Sequence, residues 1–265
     1  MPYASSGGVR IYYESEGEGP TILFHTGSAG DLRTWRLAGF AQGLPGFRKI
    51  WLDPRGRGKS DRPGSIEAHR MERFVEDVRA VLDDAGVEQC GFWGYSSGVL
   101  VGLAFGTAYP TRLNALVGTG GLPFHNLSEL PPTDLSELVR QLVAQGGIRC
   151  VLDHYRTTEN ESFPLEIDQN VRSDDPLMFA LDRAGRRGWR GPLALYEAFE
   201  APTLILAGER EDTEGETERA VARMPNASLC RIPGVGHLGV FSRSELSLPV
   251  ALPFLERTLG RASAV

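Results

Sequence analysis

Residues 87–101 read VEQCGFWGYSSGVLV, and this stretch decides the fold. It begins as a short, largely apolar run, passes through the pentad Gly94–Gly98, and continues with apolar residues at helical spacing. That order predicts a strand, a sharp turn and a helix. Glycines on both sides of Ser96 leave room for a tight backbone that lifts the serine hydroxyl above the sheet edge. Ser96 is therefore the candidate nucleophile.

Backbone amides near this serine offer a place for negative charge. The helix expected to begin at Ser97 would point its free N–H groups at the space above the Ser96 hydroxyl. A glycine-rich loop, HTGSAGD at 25–31, follows a short apolar strand and exposes further N–H groups. Such a loop suits an oxyanion or a phosphate, although glycine can also serve only to turn the chain.

The alternation of predicted elements around this stretch indicates the fold class. Strands are expected at 21–24, 48–52 and 113–118, and amphipathic or buried helices separate them. This pattern predicts an α/β fold with a mostly parallel open sheet and helices on both faces. Between 122 and 200 the strands vanish and amphipathic segments replace them. We therefore expect a core formed by 1–121 and 201–265, with a helical cap inserted at 122–200.

Composition excludes several classes of partner. The chain has 265 residues, a formal net charge of −6 and 41% hydrophobic residues, which argues for a sizeable core and against a nucleic-acid partner. No stretch resembles a leader or is long enough to cross a bilayer, so we expect a cytoplasmic protein without a membrane partner. The cysteines and histidines show no metal-ligand spacing, and no metal or other cofactor is expected.

Two charged segments of the sequence could suggest a binding role. The loop DPRGRGKSDRP at 53–63 lacks the spacing of a nucleotide-binding loop and favours a structural turn. A basic cluster surrounds Trp189 in the predicted insertion and would suit an anionic substrate, but charge runs usually form solvated faces. The cluster consists of Arg183, Arg186, Arg187 and Arg190.

An acid and a histidine complete a catalytic set in the C-terminal third of the chain. Glu211 and Asp212 follow the apolar strand predicted at 202–207, and His237 lies between glycines on a predicted loop after the strand at 228–232. Ser96, one of these acids and His237 thus each follow the carboxyl end of a strand, where open parallel sheets carry their sites. His237 would take the serine proton, and the carboxylate would hold the imidazole.

The chain resembles the α/β-hydrolase superfamily of serine hydrolases with a helical cap, over nearly its whole length. The resemblance rests on the pentad Gly94–Gly98, the charged loop at 53–63, and the motif Gly234-x-Gly236-His237. It implies that the Ser97 amide forms half of an oxyanion hole. It also implies that the loop after His25 supplies the other half, through Gly27 or Ser28.

The same resemblance also bears on the choice between Glu211 and Asp212 as the acid that holds His237. The family's acid usually lies three residues after the strand-ending glycine, which favours Glu211. It is generally an aspartate followed by a turn residue, which favours Asp212. We expect Asp212, with Glu211 as the alternative.

A serine at the position of the nucleophile disfavours relatives that use aspartate there, namely haloalkane dehalogenases and epoxide hydrolases. The resemblance then implies hydrolysis of a carboxylic ester or related acyl bond. Carbon–carbon bond hydrolysis and cofactor-free perhydrolysis use the same triad and stay open, as does a receptor-like binding protein with little turnover. The expected partner is a small, mostly apolar substrate, and a homodimer is left open. The pocket residues expected from the sequence are Trp35, Tyr95, Phe124 and Trp189.

Overall fold

An eight-stranded sheet forms the centre of the structure, a computed structural model that describes residues 3–123, 134–187, 189, 191, 193–211 and 214–260. The strands are β1 (Tyr3–Ser6), β2 (Val9–Glu16), β3 (Thr21–His25), β4 (Arg48–Leu52), β5 (Cys90–Tyr95), β6 (Leu113–Thr119), β7 (Thr203–Gly208) and β8 (Ala227–Ile232). Their order across the sheet is β1-β2-β4-β3-β5-β6-β7-β8.

Strands β3 to β8 run parallel, and β1 and β2 add an antiparallel edge. Every residue of β5 and β7 is buried, as expected where helices cover both faces of a parallel sheet. The register pairs Gly94 of β5 with His25 of β3 and with Gly118 of β6. The carboxyl ends of these strands therefore meet at one edge, and the predicted α/β fold is confirmed.

Helices cover the two faces of the sheet and fill the connection between β6 and β7. One hydrophobic cluster includes the apolar faces of α2 and α3, and a second includes residues of α1, α10 and α11. The helices are α1 (Leu32–Leu37), α2 (Met71–Asp84), α3 (Ser97–Ala108), α4 (Leu135–Ala144), α5 (Ile148–Thr158), α6 (Leu165–Arg172), α7 (Pro176–Arg186), α8 (Leu193–Tyr196), α9 (Glu216–Val221), α10 (His237–Ser242) and α11 (Ser244–Leu259).

Helices α4 to α8 follow β6 and precede β7, and we call this connection the helical insertion. The amphipathic segments that the sequence shows, at 135–145, 148–156, 177–183 and 193–199, coincide with α4, α5, α7 and α8, but none coincides with α6. With eight residues, α6 is too short to show a clear period, although Ile167 and Val171 are buried along one face. The division into a core and a cap domain at 122 and 200 stays a prediction. Among the described residues, no helix has both the length and the apolar composition that a bilayer crossing needs.

Candidate active site

Ser96 lies at the turn between β5 and α3 in a strained backbone conformation. Its φ of 53° and ψ of −123° are rare for any residue other than glycine. The surrounding glycines make the turn feasible, because a Cβ on Gly98 would lie 2.4 Å from the His25 carbonyl oxygen. A Cβ on Gly94 would lie 2.6 Å from the backbone of Gly98. The turn thus presents the Ser96 hydroxyl at the carboxyl edge of the sheet.

His237 follows strand β8 and lies within hydrogen-bonding distance of this serine. Its Nε2 lies 3.1 Å from Ser96 Oγ. The sequence predicted a loop here, but His237 is the first residue of helix α10, with Gly236 as the capping residue. The imidazole stacks on two aromatic rings, with centroids 5.3 Å away for Tyr95 and 5.6 Å for Tyr155. The Tyr95 hydroxyl donates to the His237 carbonyl oxygen over 3.2 Å and so also holds the backbone of this residue.

Glu211 supplies a carboxylate to the far nitrogen of this imidazole. His237 Nδ1 donates a hydrogen bond to Glu211 Oε1, and the Gly208 amide donates to Oε2 over 3.2 Å. Arg231 anchors the backbone of the turn by donating to the Glu211 carbonyl oxygen over 2.8 Å. Asp212, the acid that we expected from the sequence, lies outside the described residues.

The surroundings of His237 favour its protonated form. Burial lowers the pKa of His237, but the charge and hydrogen bond of Glu211, together with nearby acidic side chains, outweigh this effect. Glu161 and Glu159 add to the rise, and the pKa lies above its usual value of 6.5. A histidine that accepts the serine proton becomes an imidazolium, so this environment stabilises the charged species that nucleophilic attack creates.

The two predicted oxyanion segments approach Ser96 closely. Ser97 is the first residue of α3, so its amide has no partner within the helix. Gly27 lies against the serine, because a Cβ on it would be 3.0 Å from Ser96 Cβ. The Ser28 hydroxyl donates to Ser97 Oγ over 3.1 Å. Gly27 and Ser28 both line the cavity in front of Ser96, and the choice of second donor between them stays a prediction.

A buried cluster of charges supports this loop from behind. Arg57 donates to the Gly27 carbonyl oxygen and pairs with Asp182, which also pairs with Arg186. Arg186 in turn donates to the Ser28 hydroxyl over 3.0 Å. The three charged side chains are at most 5% exposed. The interpretation of the basic cluster as a solvated face is therefore wrong for Arg186, because two intramolecular partners hold it inside the protein.

The family model described as "alpha/beta hydrolase fold" matches residues 20–244 of this chain. The chain belongs to the alpha/beta hydrolase fold family. Among curated relatives, a RutD protein of Azorhizobium caulinodans, provisionally named a carbamate hydrolase, is 33% identical over 46% of this chain and 44% of its own length. Epoxide hydrolase 2 of Siraitia grosvenorii is 29% identical over 55% of this chain and 45% of its own. The chain thus spans less than half the length of these relatives.

Solved structures resemble the chain over almost its full length. The N-acyl homoserine lactone degrading enzyme Est816 has a TM-score of 0.75 at 24% identity, covering 96% of this chain and 100% of its own. A thermophilic esterase of Thermogutta terrifontis has a TM-score of 0.78 at 21% identity, covering 98% of both chains. At these identities the similarity shows the fold alone.

In this member of the alpha/beta hydrolase fold family, a cavity of about 240 Å³ opens in front of Ser96. The helical insertion supplies most of its apolar wall, and Tyr95 and His237 complete it on the side of the core. Arg183 adds a cationic side chain and forms no salt bridge or hydrogen bond with the described residues. The residues of the helical insertion that line the cavity include Ile148, Leu152, Tyr155, Phe163, Phe179 and Arg183.

Two other predicted pocket residues, Trp35 and Trp189, are absent from the lining of this cavity. Trp35 is fully buried behind it and packs edge-to-face on Phe40 and Phe241, because α1 turns the indole into the hydrophobic cluster of that face. Trp189 is half-buried and packs against the hydrophobic cluster that includes α2 and α3. The prediction that these two residues contact substrate is wrong for the described cavity. Phe124 lies outside the described residues.

Three residues that lie near Ser96 and His237 were not predicted from the sequence. Tyr155 stacks on His237, Asp182 joins the charge cluster behind the oxyanion loop, and Glu161 contacts the first turn of α10. Tyr155 and Asp182 lie on helices whose amphipathic pattern could be seen, but the pattern does not say which residue faces a distant catalytic group. Glu161 follows α5 in an irregular segment, where no periodic signal exists.

Proposed function

We propose that this protein is a serine hydrolase that cleaves a carboxylic ester or related acyl bond of a small, mostly apolar substrate. The observation that carries the proposal is a continuous chain of hydrogen bonds from Ser96 Oγ through His237 to the Glu211 carboxylate. A nucleophile, a base and an orienting carboxylate in contact are the parts that acyl transfer requires. The helical insertion would serve as the cap that shapes the substrate pocket.

The reaction follows from this geometry. Ser96 attacks the substrate carbonyl carbon while His237 Nε2 takes the hydroxyl proton, and Glu211 stabilises the imidazolium. The Ser97 amide and an amide of the loop at 27–28 stabilise the tetrahedral oxyanion. His237 then protonates the leaving alcohol, which leaves an acyl group on Ser96. Water, deprotonated by the same histidine, hydrolyses the acyl-enzyme and frees the serine.

Epoxide opening, the activity named for several curated relatives, fits this site poorly. An epoxide attacked by Ser96 would leave an alkyl ether on the serine, which water and a histidine cannot hydrolyse. An acyl group on the same oxygen is an ester, which they can. The residue at the nucleophile position therefore favours acyl transfer over epoxide hydrolysis.

The direct test is turnover of p-nitrophenyl esters of increasing acyl length by the wild-type protein. We expect multiple turnovers with short to medium acyl chains, because the cavity is small and mostly apolar. One burst of product without further turnover would instead support a receptor-like binding protein. Failure with every ester would exclude the esterase proposal and favour carbon–carbon cleavage or perhydrolysis on the same residues.

The pH dependence of kcat/KM should follow the deprotonated form of His237. Because the pKa of His237 is raised above 6.5, the acid limb of the profile should lie above pH 6.5, and activity should fall as the pH drops through it. Steady-state rates between about pH 5 and 9 measure this limb. A plateau that extends well below pH 6 would contradict the assignment of His237 as the base.

Arg183 supports a preference for substrates with a carboxylate remote from the ester. We expect Arg183→Gln to lower kcat/KM by up to about fivefold for a monoester of a short dicarboxylic acid, since a partly exposed ion pair contributes up to about 1 kcal/mol. A neutral ester of equal length should change less than twofold. Arg156→Gln is the control, because Arg156 pairs with Asp153 on α5 and does not line the cavity. Equal effects of Arg183→Gln on both esters would refute the preference.

A further inference from the structure

Glu161, from the helical insertion, makes three backbone contacts around the candidate catalytic histidine. Its side chain is buried, and its two carboxylate oxygens accept hydrogen bonds from the amides of Gly236, Leu238 and Gly239, at 2.7, 2.9 and 3.1 Å. Arg210 lies 3.9 Å from one of these oxygens. One side chain thus binds the backbone immediately before and immediately after His237.

The first turn of α10 has no capping group of its own. Gly236, at the capping position, has no side chain, and no other side chain of this turn replaces it. The close approach of Glu161 also needs small residues. A Cβ on Gly236 would lie 2.7 Å from Glu161 Oε2, and a Cβ on Gly239 would lie 2.8 Å from Oε1. The turn that carries His237 is therefore shaped to receive a carboxylate from another part of the chain.

The charge of Glu161 also acts on the imidazole. Glu161, Glu159 and Glu211 line an acidic opening of about 660 Å³ beside His237, and each of them favours the imidazolium. Removing one of these charges should make the histidine easier to deprotonate. Among the described residues, the titratable or charged groups around His237 are Tyr95, Tyr155, Glu159, Glu161, Arg183, Arg210, Glu211, Glu214 and Glu216, beside the Ser96 hydroxyl.

We propose that Glu161 is a positioning residue for His237, through which the helical insertion holds the catalytic base at its distance from Ser96. This inference rests on the proposed function, because His237 must act as the base of the reaction. It goes beyond that function by making the insertion part of the catalytic machinery. Substrate turnover then depends on the docking of this segment and not only on the residues of the sheet edge.

The test is Glu161→Gln, which keeps the size of the side chain and one oxygen acceptor but removes the charge. We expect kcat to fall about tenfold with KM within twofold of the wild type, since small displacements of a catalytic group cost one to two orders of magnitude. The acid limb of kcat/KM should move to lower pH. Glu159→Gln is the matched control, because the exposed Glu159 carboxylate has no described hydrogen bond. Its kcat on the high-pH plateau should match the wild type.

A purely structural role would give a different result. If Glu161→Gln lowers the melting temperature but keeps the wild-type kcat and pH profile, the proposal is overturned. Glu161→Asp is the second variant, for the case that the glutamine variant does not fold. It keeps the charge but shortens the reach, so kcat should fall while the acid limb stays in place.

The inference can fail or stand separately from the proposed function. If the wild type cleaves no ester, the proposed function fails, and NMR titration of the His237 imidazole still tests the contact. In that experiment Glu161→Gln should lower the pKa of His237 relative to the wild type, and an unchanged titration curve would refute the role of Glu161. An active wild type whose Glu161→Gln variant is indistinguishable from it would refute the inference alone.

Discussion

Ser96→Ala should lower kcat by at least about 10⁴-fold on every ester that the wild type turns over, because loss of a serine nucleophile leaves only binding and oxyanion stabilisation. The alanine variant should fold as well as the wild type. Alanine suffers the same strain at a φ of 53°, and Ser96 Oγ has no described hydrogen-bond partner besides His237. Steady-state kinetics and a thermal melt measure the two expectations together.

Covalent labelling with a fluorophosphonate probe is an independent test of Ser96 as the nucleophile. The wild type should take up one equivalent of the probe with loss of activity, and Ser96→Ala should take up none. Residual turnover above about 1% in the alanine variant, at unchanged stability, would mean that another group performs the attack.

Glu211→Gln should lower kcat by about 10³- to 10⁴-fold, comparable to the loss when the carboxylate of a serine protease triad becomes an amide. Glu211 accepts the Nδ1 proton of His237, so an amide in its place removes the negative charge and allows the wrong tautomer. The acid limb of kcat/KM should also move to lower pH, because the charge of Glu211 is a main cause of the raised pKa of His237.

Asp212→Asn is the partner experiment for this acid. We expect its kcat to stay within about threefold of the wild type, since the contact to His237 already has its carboxylate in Glu211. A larger loss with Asp212→Asn than with Glu211→Gln would reverse the assignment. Because Glu211 and Asp212 are adjacent in the sequence, the two variants are compared on a single substrate. The variant with the larger loss of kcat identifies the acid that orients His237.

Much of the fold could be predicted because its signals are local. The pentad Gly94–Gly98 predicts a strand, turn and helix, and the structure has β5, Ser96 and α3 there. Short elements were not predicted because they have too few residues to show a repeating pattern of apolar and polar residues. Strand β1 has four residues and α6 has eight. Helix α11 carries Pro249 and Pro253 in its interior, which weakens its helical pattern.

The site was harder to predict where its geometry depends on distant contacts. Ser96 and His237 stand in motifs, but the choice between Glu211 and Asp212 depends on the path of a loop after β7. Arg186 belongs to a run of basic residues, and nothing local indicates that Arg57, far away in the chain, shares Asp182 with it. Trp35 shows the same limit for apolar residues, since the sequence cannot distinguish a pocket wall from the hydrophobic cluster behind it.

The charged contacts of the helical insertion bear on how such an enzyme can acquire a new specificity. Arg186 contacts the loop at 27–28 directly and Asp182 does so through Arg57, while Glu161 binds the backbone next to His237. The segment that shapes the pocket is therefore not an interchangeable module. Replacing it with a segment from another protein would remove three charged side chains that hold the candidate active site. A functional exchange therefore has to retain these charges, together with the glycines at 236 and 239 that make room for Glu161.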